Sequence, residues 1–187
     1  EIPRGEWQEV LPNLCTNAEH TEYNIRLASL TTLGYICEEL EPDFIVDAVK
    51  NQVILALVNN IAPPGQGGAE SQEPCRLAIR ALSTAVPHAN QNFKVPAERD
   101  YIMDRIFSVC EAAQVDEEIL EYALQCLREI STQEYESIQW YFPRLCAATA
   151  RLAEHPASKV GAQAYEFWTA LVEDETERKT KSVLCMN

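Results

Sequence analysis

Apolar residues recur along this chain at intervals of three and four, in eight consecutive segments separated by short breaks. That spacing places the apolar side chains on one face of an α-helix. The predicted helices cover residues 7–18, 21–40, 43–61, 73–86, 96–114, 116–132, 134–154 and 156–173. Because short connections join antiparallel neighbours, the sequence predicts an all-α protein built from four helix pairs.

The second helix of each predicted pair can be overlaid on the others. Arg26-Leu27-Ala28 matches Arg76-Leu77-Ala78, and Tyr122-Ala123-Leu124 and Gly161-Ala162-Gln163 take the same place. The aligned alanines recur at about 40 to 50 residues, the period of HEAT and armadillo arrays. A pair alone cannot bury its apolar stripe, so neighbouring pairs stack. We therefore predict one HEAT-repeat α-solenoid over residues 1–187, with pairs at about 5–41, 42–90, 91–133 and 134–175; a single globular helical bundle is the competing fold.

The net charge indicates the class of partner, and the cysteines indicate the redox compartment. The net charge of −14 argues against binding nucleic acid, whose phosphates would be repelled, and suits basic or neutral partners. The seven cysteines are odd in number and widely spaced, which indicates free thiols in a reducing compartment. No apolar run is long enough for a membrane span. Because the chain begins without Met or a signal peptide, we expect it to be a segment of a longer polypeptide.

Sites for catalysis, cofactors or metals are not predicted. The sequence has neither Gly-x-Ser-x-Gly nor His-Glu-x-x-His. The predicted loop 62–68 is rich in Pro and Gly but lacks the Lys-Ser/Thr of a phosphate cradle. His20, His88 and His155 are far apart and lack the spacing of metal ligands. We therefore expect a protein that binds other proteins and is not an enzyme.

The predicted helix 43–61 is unusual because it is apolar on two sides. Ile45, Val49 and Ala56 share one face, whereas Ile54 and Val58 point nearly the opposite way, with Leu55 beside them. Such a helix is either buried on both sides or displays an apolar patch to a partner. Periodicity leaves both interpretations open.

Several stretches resemble the importin-β (karyopherin-β) family of nuclear transport receptors. They include Leu33-Gly34-Tyr35-Ile36-Cys37-Glu38, Ala89-Asn90-Gln91-Asn92-Phe93, Glu98-Arg99-Asp100-Tyr101-Ile102-Met103, Val109-Cys110-Glu111-Ala112 and Tyr165-Glu166-Phe167-Trp168 ahead of Glu173-Asp174-Glu175. Their order and spacing match over essentially the full length. The resemblance implies roughly the fourth to seventh repeats, in the N-terminal half of such a receptor.

The resemblance also implies a function and a site. Receptors of this family bind the Phe-Gly repeats of nuclear pore proteins between adjacent first helices, and thereby carry cargo through the pore. Matched residue by residue, the family's pocket positions fall on Ile54, Leu55 and Val58 of one helix and on Glu98, Tyr101 and Ile102 of the next. Trp140 belongs to a second pocket, where Ala148 replaces the larger apolar residue that is usual. The loop 62–71 is richer in Pro and Gly than is usual in the family.

The resemblance further implies partners and a location. In the full-length receptor the partners are Ran GTPase and importin α or cargo, bound mainly outside this stretch. The implied location is the cytoplasm, the nucleus and the nuclear pore complex in the envelope. The alternative function is a HEAT-repeat scaffold for another complex, such as a phosphatase regulatory subunit, with its binding surface on inner helices and inter-repeat loops.

Overall fold

The computed structural model of the protein describes residues 7–62 and 72–185, and the surroundings of side chains for 9–62 and 72–180. The secondary structure of these ranges is helical, with no β-strand among them, which confirms the all-α prediction. The helices are α1 (Trp7–Asn17), α2 (Tyr23–Glu39), α3 (Asp47–Asn59), α4 (Gln72–Ala85), α5 (Asn90–Lys94), α6 (Pro96–Glu111), α7 (Glu117–Gln133), α8 (Tyr135–Ile138), α9 (Phe142–Ala153) and α10 (Ser158–Cys185). The predicted loop 62–71 lies outside the described residues except for Ala62.

The long helices form pairs that stack along one direction. We call α1, α3, α6 and α9 the first helices; each packs on the second helix that follows it, which is α2, α4, α7 or α10. Hydrogen bonds between pairs join residues about one repeat apart: Arg76 and Glu118 are 42 positions apart, and so are Asn59 and Tyr101. Contacts between neighbouring repeats are the mark of a solenoid. The predicted HEAT-type stack is therefore confirmed, and the globular bundle is wrong.

The third helix begins later than its sequence pattern predicts. Residues Pro42–Phe44 form a 3₁₀ turn, which the Ile45 amide closes by donating to the Pro42 carbonyl at 3.3 Å. Val46 is extended, with φ −70° and ψ 145°, so the α-helix starts at Asp47 instead of Asp43. Proline fixes φ in a range that suits the turn, but the turn does not run on into the helix.

Proline also determines where α9, the fourth of the first helices, begins. The predicted helix 134–154 is divided into α8, a 3₁₀ turn at Gln139–Tyr141, and α9. Pro143 lies in the first turn of α9, where its missing N–H has no intrahelical partner to lose. In one continuous helix the same residue would remove a backbone hydrogen bond, so the helix stops and restarts.

The helix α10, the fourth of the second helices, extends to Cys185, well beyond the predicted end at Glu173. Ion pairs one helical turn apart support the added turns: Arg178 lies 2.6 Å from Asp174, and Lys179 lies 2.8 Å from Glu175. Arg178 also donates to the Thr132 carbonyl of α7 at 2.8 Å. Charged residues thus continue this helix where the apolar pattern fades.

Small residues let the second helices approach one another closely. A Cβ added at Gly34 of α2 would lie 3.2 Å from the Cβ of Ala81 in α4. Two of the aligned alanines, Ala78 and Ala123, are fully buried in the middle of the stack. The other two aligned alanines, Ala28 and Ala162, are exposed. Their helices, α2 and α10, are the outermost second helices of the described stack, and each has a second-helix neighbour on one side.

One apolar core runs between the two layers of helices. Five cysteines are buried in it, and burial raises the pKa of the Cys110 thiol to about 12. A thiol with such a pKa stays protonated and packs as a small apolar group. Among the described residues, no helix combines the length and apolar character of a membrane span, and no three potential metal ligands cluster.

Candidate protein-binding groove

Six of the seven predicted site residues come from two neighbouring first helices, α3 and α6. The short helix α5 packs against both. We call the boundary formed by these residues the α3–α6 groove; its members are Ile54, Leu55, Val58, Glu98, Tyr101 and Ile102. Side-chain hydrogen bonds bridge this boundary near both ends of α3, through Asn92 of α5 at one end and directly from Tyr101 to Asn59 at the other. The structure therefore brings the predicted residues of the two helices to one boundary.

The apolar floor of the α3–α6 groove is buried in this structure. Ile54 and Val58 are 0% exposed, and Ile102 is 1% exposed. The helix is covered on both sides because α1, α4 and α5 all pack against it. Val49 and Ala56, on the other face, are buried as well, and so is Ile45, which precedes the helix. The burial interpretation of the two-sided helix is thus confirmed, and the open-patch interpretation is wrong for Ile54 and Val58; Ile102, on α6, is buried too.

Leu55 is the apolar groove residue of α3 that remains accessible, since it is half-buried. It lies in sequence between the buried Ile54 and Ala56, at the position that turns away from the core. Glu98 and Tyr101 of α6 are also half-buried. The accessible part of the groove is therefore a narrow surface made by three side chains, above a floor that the chain itself covers.

One end of the groove is held by three polar side chains, which we call the Asn92 clasp. Asn92 is 2% exposed, and its amide donates to the Asn51 side-chain oxygen and to Glu98 Oε2, the latter at 2.9 Å. The buried amide nitrogen thus has both of its donors satisfied. The resemblance assigned Glu98 to a peptide N–H, but one of its oxygens already accepts from Asn92 here.

The other end is held by a second group, which we call the Tyr101 clasp. The Tyr101 hydroxyl donates to Asn59 Oδ1 at 2.8 Å, so its side chain spans the boundary from α6 to α3. Arg105 donates to the same hydroxyl at 3.2 Å and to the Ile61 carbonyl at 3.4 Å. Its guanidinium carbon also lies 5.3 Å from the centroid of the Tyr101 ring, a cation–π distance.

The second predicted pocket, at Trp140, has a different character. Trp140 lies in the 3₁₀ turn before α9 and is 71% exposed. Ala148, further along α9, is buried. Between them, Arg144 pairs with Asp104 and with Glu111, whose Oε1 lies 2.6 Å from Arg144 Nε. Polar bridges occupy the α6–α9 boundary, and the structure leaves Trp140 outside it, in solvent.

Charges at the α6–α9 boundary shift the acidity of two groups. Hydrogen bonds from Arg144 hold the pKa of Glu111 below its usual range. Burial, and then the hydrogen bond that its hydroxyl donates to Asp100, raise the pKa of Tyr141. Both shifts keep the groups in the forms that bridge α6 and α9, a carboxylate and a phenol.

Sequence reasoning missed the polar residues that close the groove, namely Asn51, Asn59, Asn92 and Arg105. Their signal was present in the spacing, because the pairs that bridge the groove are 41 to 44 positions apart, about one repeat. Apolar periodicity does not report such pairs, since each polar residue by itself is typical of a solvated face.

The geometry of the boundary defines the class of this protein. Antiparallel helix pairs stacked at a period of about 40 residues, with polar clasps between successive first helices, form an α-solenoid of the HEAT type. Solenoids use extended surfaces to bind other macromolecules. The particular family follows from comparison with known proteins.

Curated relatives and solved structures agree on that family. The chain is 35% identical over 179 residues to importin subunit beta-1 of Arabidopsis thaliana and 31% identical over 185 residues to that of Saccharomyces cerevisiae. Each match covers 95% of this chain and 20% of the relative. No protein-family profile matches the chain. The chain belongs to the importin-β family, and it spans about one fifth of the length of the relatives it matches.

The structural matches have the same extent. A crystal structure of importin beta superposes with a TM-score of 0.81 at 27% identity, over 98% of this chain and 22% of the other. A complex of Kap95 with Nup1 gives 0.79 at 26% identity, over 98% and 21%. A study of Kap95p binding to RanGDP gives 0.76 at 26% identity, over 98% and 20%.

Proposed function

We propose that this chain is part of a nuclear transport receptor and that its α3–α6 groove binds the phenylalanines of Phe-Gly nucleoporins. The observation that carries the proposal is that the two clasps join Glu98 and Tyr101 of α6 to Asn51 and Asn59 of α3, one helical turn on either side of Leu55. Membership of the importin-β family supports it, and so does the occurrence of Kap95 in a complex with Nup1.

The proposal covers location and further partners. The receptor moves between cytoplasm and nucleus through the pore complex of the envelope, and it acts by binding rather than by catalysis. Ran GTPase is a partner of the whole receptor, in keeping with the binding of Kap95p to RanGDP. Importin α or cargo is a further partner of the whole receptor, which extends well beyond this stretch.

The buried floor sets a condition on binding. Ile54, Val58 and Ile102 have no accessible surface to offer in the closed state, so an entering ring must first widen the boundary. Burying a phenylalanine yields roughly 1.5–3 kcal/mol. Opening costs part of that gain, which makes a single engagement weak; several in parallel are needed for useful avidity. Weak and reversible contact suits passage through a pore.

The test is a titration of the isotope-labelled chain with a Phe-x-Phe-Gly peptide, followed by NMR. We expect chemical-shift changes at Leu55 and Tyr101, with a dissociation constant in the millimolar range, as a single weak site implies. Leu55→Ala should weaken binding about threefold or more, because it removes part of the apolar wall. Val10→Ala, at an exposed apolar residue of α1, is the matched control and should not alter binding.

The alternative function, a scaffold for another complex, is favoured by a different observation. Tyr35 and Tyr165, on the second helices, are 58% and 66% exposed, whereas the floor of the groove is covered. A scaffold that binds through these helices predicts that Tyr35→Ala and Tyr165→Ala abolish partner binding while Leu55→Ala does not. Absence of any peptide response at millimolar concentration would favour this alternative over the transport function.

A further inference from the structure

One aromatic side chain bridges the closed α3–α6 groove next to its buried floor. Tyr101 starts on α6 and reaches α3 through the hydrogen bond from its hydroxyl to Asn59. Val58 directly precedes Asn59, and Ile102 directly follows Tyr101, so this bond is anchored next to two of the three floor residues. The bond and the floor therefore belong to the same turns of the two helices.

The two clasps differ in burial, and this difference indicates which end can open. Asn92 is 2% exposed and has both donors paired, so breaking its clasp leaves a buried amide without partners. In the Tyr101 clasp, by contrast, Asn59 is exposed and Tyr101 is half-buried. Water can replace the hydrogen bonds of these two groups when they separate. The Tyr101 end is the one that opens at low cost.

We infer that Tyr101 gates the α3–α6 groove: its hydroxyl, held by Asn59 and Arg105, keeps the boundary closed, and a partner's aromatic side chain reaches Ile54, Val58 and Ile102 after that hydroxyl leaves Asn59. This inference rests on the proposed function for the identity of the partner. The Tyr101 hydroxyl has a positioning role, because it sets the population of the open state, whereas the Tyr101 ring lines the groove. The observed affinity then equals the affinity of the open groove multiplied by the fraction of molecules in which the groove is open.

If Tyr101 gates the groove, a substitution that removes its hydroxyl should increase the affinity for the partner, whereas most substitutions at a binding site lower it. Tyr101→Phe retains the aromatic wall and removes the hydroxyl, so it should tighten binding of a Phe-x-Phe-Gly peptide. One intramolecular hydrogen bond of this kind corresponds to a change in affinity of about twofold to tenfold. Asn59→Ala should tighten binding similarly. The double variant should gain little more than either single variant, because both remove the same bond.

A second readout measures the gate without any partner. Methyl groups of Ile54, Val58 and Ile102 are shielded from a soluble paramagnetic probe in the closed groove. In Tyr101→Phe, NMR should show faster relaxation of these methyl groups, by about twofold or more if the open population rises as stated. Tyr35→Phe, at an exposed tyrosine of α2, is the matched control and should change neither the relaxation nor the affinity.

The outcomes separate the gate from the proposed function. Tighter peptide binding together with greater methyl exposure in Tyr101→Phe supports the gate. Unchanged methyl exposure, or unchanged or weaker peptide binding in a variant whose wild type binds, overturns it. If Tyr101→Phe exposes the methyl groups but neither it nor the wild type binds peptide, the gate is supported as a property of the fold and the proposed function fails.

Discussion

The two layers of this solenoid are joined in different ways. Second helices meet through small apolar residues at close approach, as Gly34 and Ala81 do between α2 and α4, with exposed polar pairs such as Arg76 and Glu118 as additional links. First helices meet through polar clasps, as α3 and α6 do at Asn92 and at Tyr101. The second-helix layer is thus fixed by the shape of its side chains, which a small displacement ruins. The α3–α6 boundary of the first-helix layer is fixed by hydrogen bonds, and at its Tyr101 end water can replace them.

This difference between the layers indicates where such a molecule can bind a partner. Separating two second helices would open a void that no solvent fills favourably. Separating α3 from α6 at the Tyr101 end exchanges exposed hydrogen bonds for water and uncovers apolar surface that a partner's ring can cover again. A HEAT stack can therefore keep one layer rigid while the other layer opens at chosen boundaries.

The largest expected effect tests whether the groove is closed in solution. Val58→Asp places an uncompensated charge at a position with 0% exposure, which costs several kcal/mol. We expect loss of the folded state, measured as the disappearance of the cooperative thermal transition by circular dichroism. Val46→Asp, at the exposed N-cap of the same helix, is the control and should be neutral or slightly stabilising. A folded Val58→Asp variant would show that the floor is open to water.

The next effect tests the close approach within the second-helix layer. Gly34→Ala would bring two Cβ atoms to 3.2 Å, so we expect destabilisation of about 1 kcal/mol from overpacking, measured by urea denaturation. In an Ala81→Gly background the same change should instead stabilise by up to about 1 kcal/mol, since alanine is the better helix former. Equal changes in the free energy of unfolding in the two backgrounds would mean that α2 and α4 can move apart at this point at little cost.

A smaller effect is expected from the polar bridges of the first-helix layer. Arg144→Lys keeps the positive charge but loses the paired hydrogen bonds to Glu111. The side chain is partly exposed, so the loss should be about 0.5–1 kcal/mol by urea denaturation and should shrink with added salt. A loss of several kcal/mol, insensitive to salt, would place this boundary in the same class as the second-helix layer.

The smallest effect is a pH dependence in the second-helix layer. His88 is 3% exposed; its Nε2 lies 3.4 Å from the Cys37 carbonyl of α2, and its Nδ1 has no hydrogen-bond partner in the described part of the chain. Burial lowers the pKa of His88 below its ordinary value of 6.5. The positive charge of Lys50 also lowers the pKa of His88, whereas the negative charge of Glu41 and the Leu40 carbonyl raise it.

The sign of this effect follows from proton binding. Below pH 6.5 the unfolded chain binds a proton at His88 before the folded chain does, so stability is full above that pH and falls as the pH drops. His88→Gln should reduce this fall, as measured by urea denaturation at pH 7.5 and pH 5.5. An unchanged pH profile in the variant would show that His88 is not the group responsible.

Much of the fold could be predicted from the sequence because apolar periodicity is a local property. It identified the four helix pairs and their stacking, whereas the resemblance to the family assigned the site residues of α3 and α6. It did not place the start of α9, where Pro143 interrupts the helix, or the end of α10, which ion pairs continue. It also left the two-sided helix undecided, because burial of Ile54 depends on elements distant in sequence.

What the sequence determined by itself is the identity of the repeating unit: a helix pair with an apolar stripe, repeated at a period of about 40 residues, whose face must be covered by its neighbour. What the tertiary structure decided is the state of the boundaries between units. Whether Val58 and Ile102 meet water depends on where Tyr101 and Asn59 come to lie relative to each other, and they are 42 positions apart. Periodicity measures the face of one helix, whereas a hydrogen bond across a boundary requires that two helices already be packed.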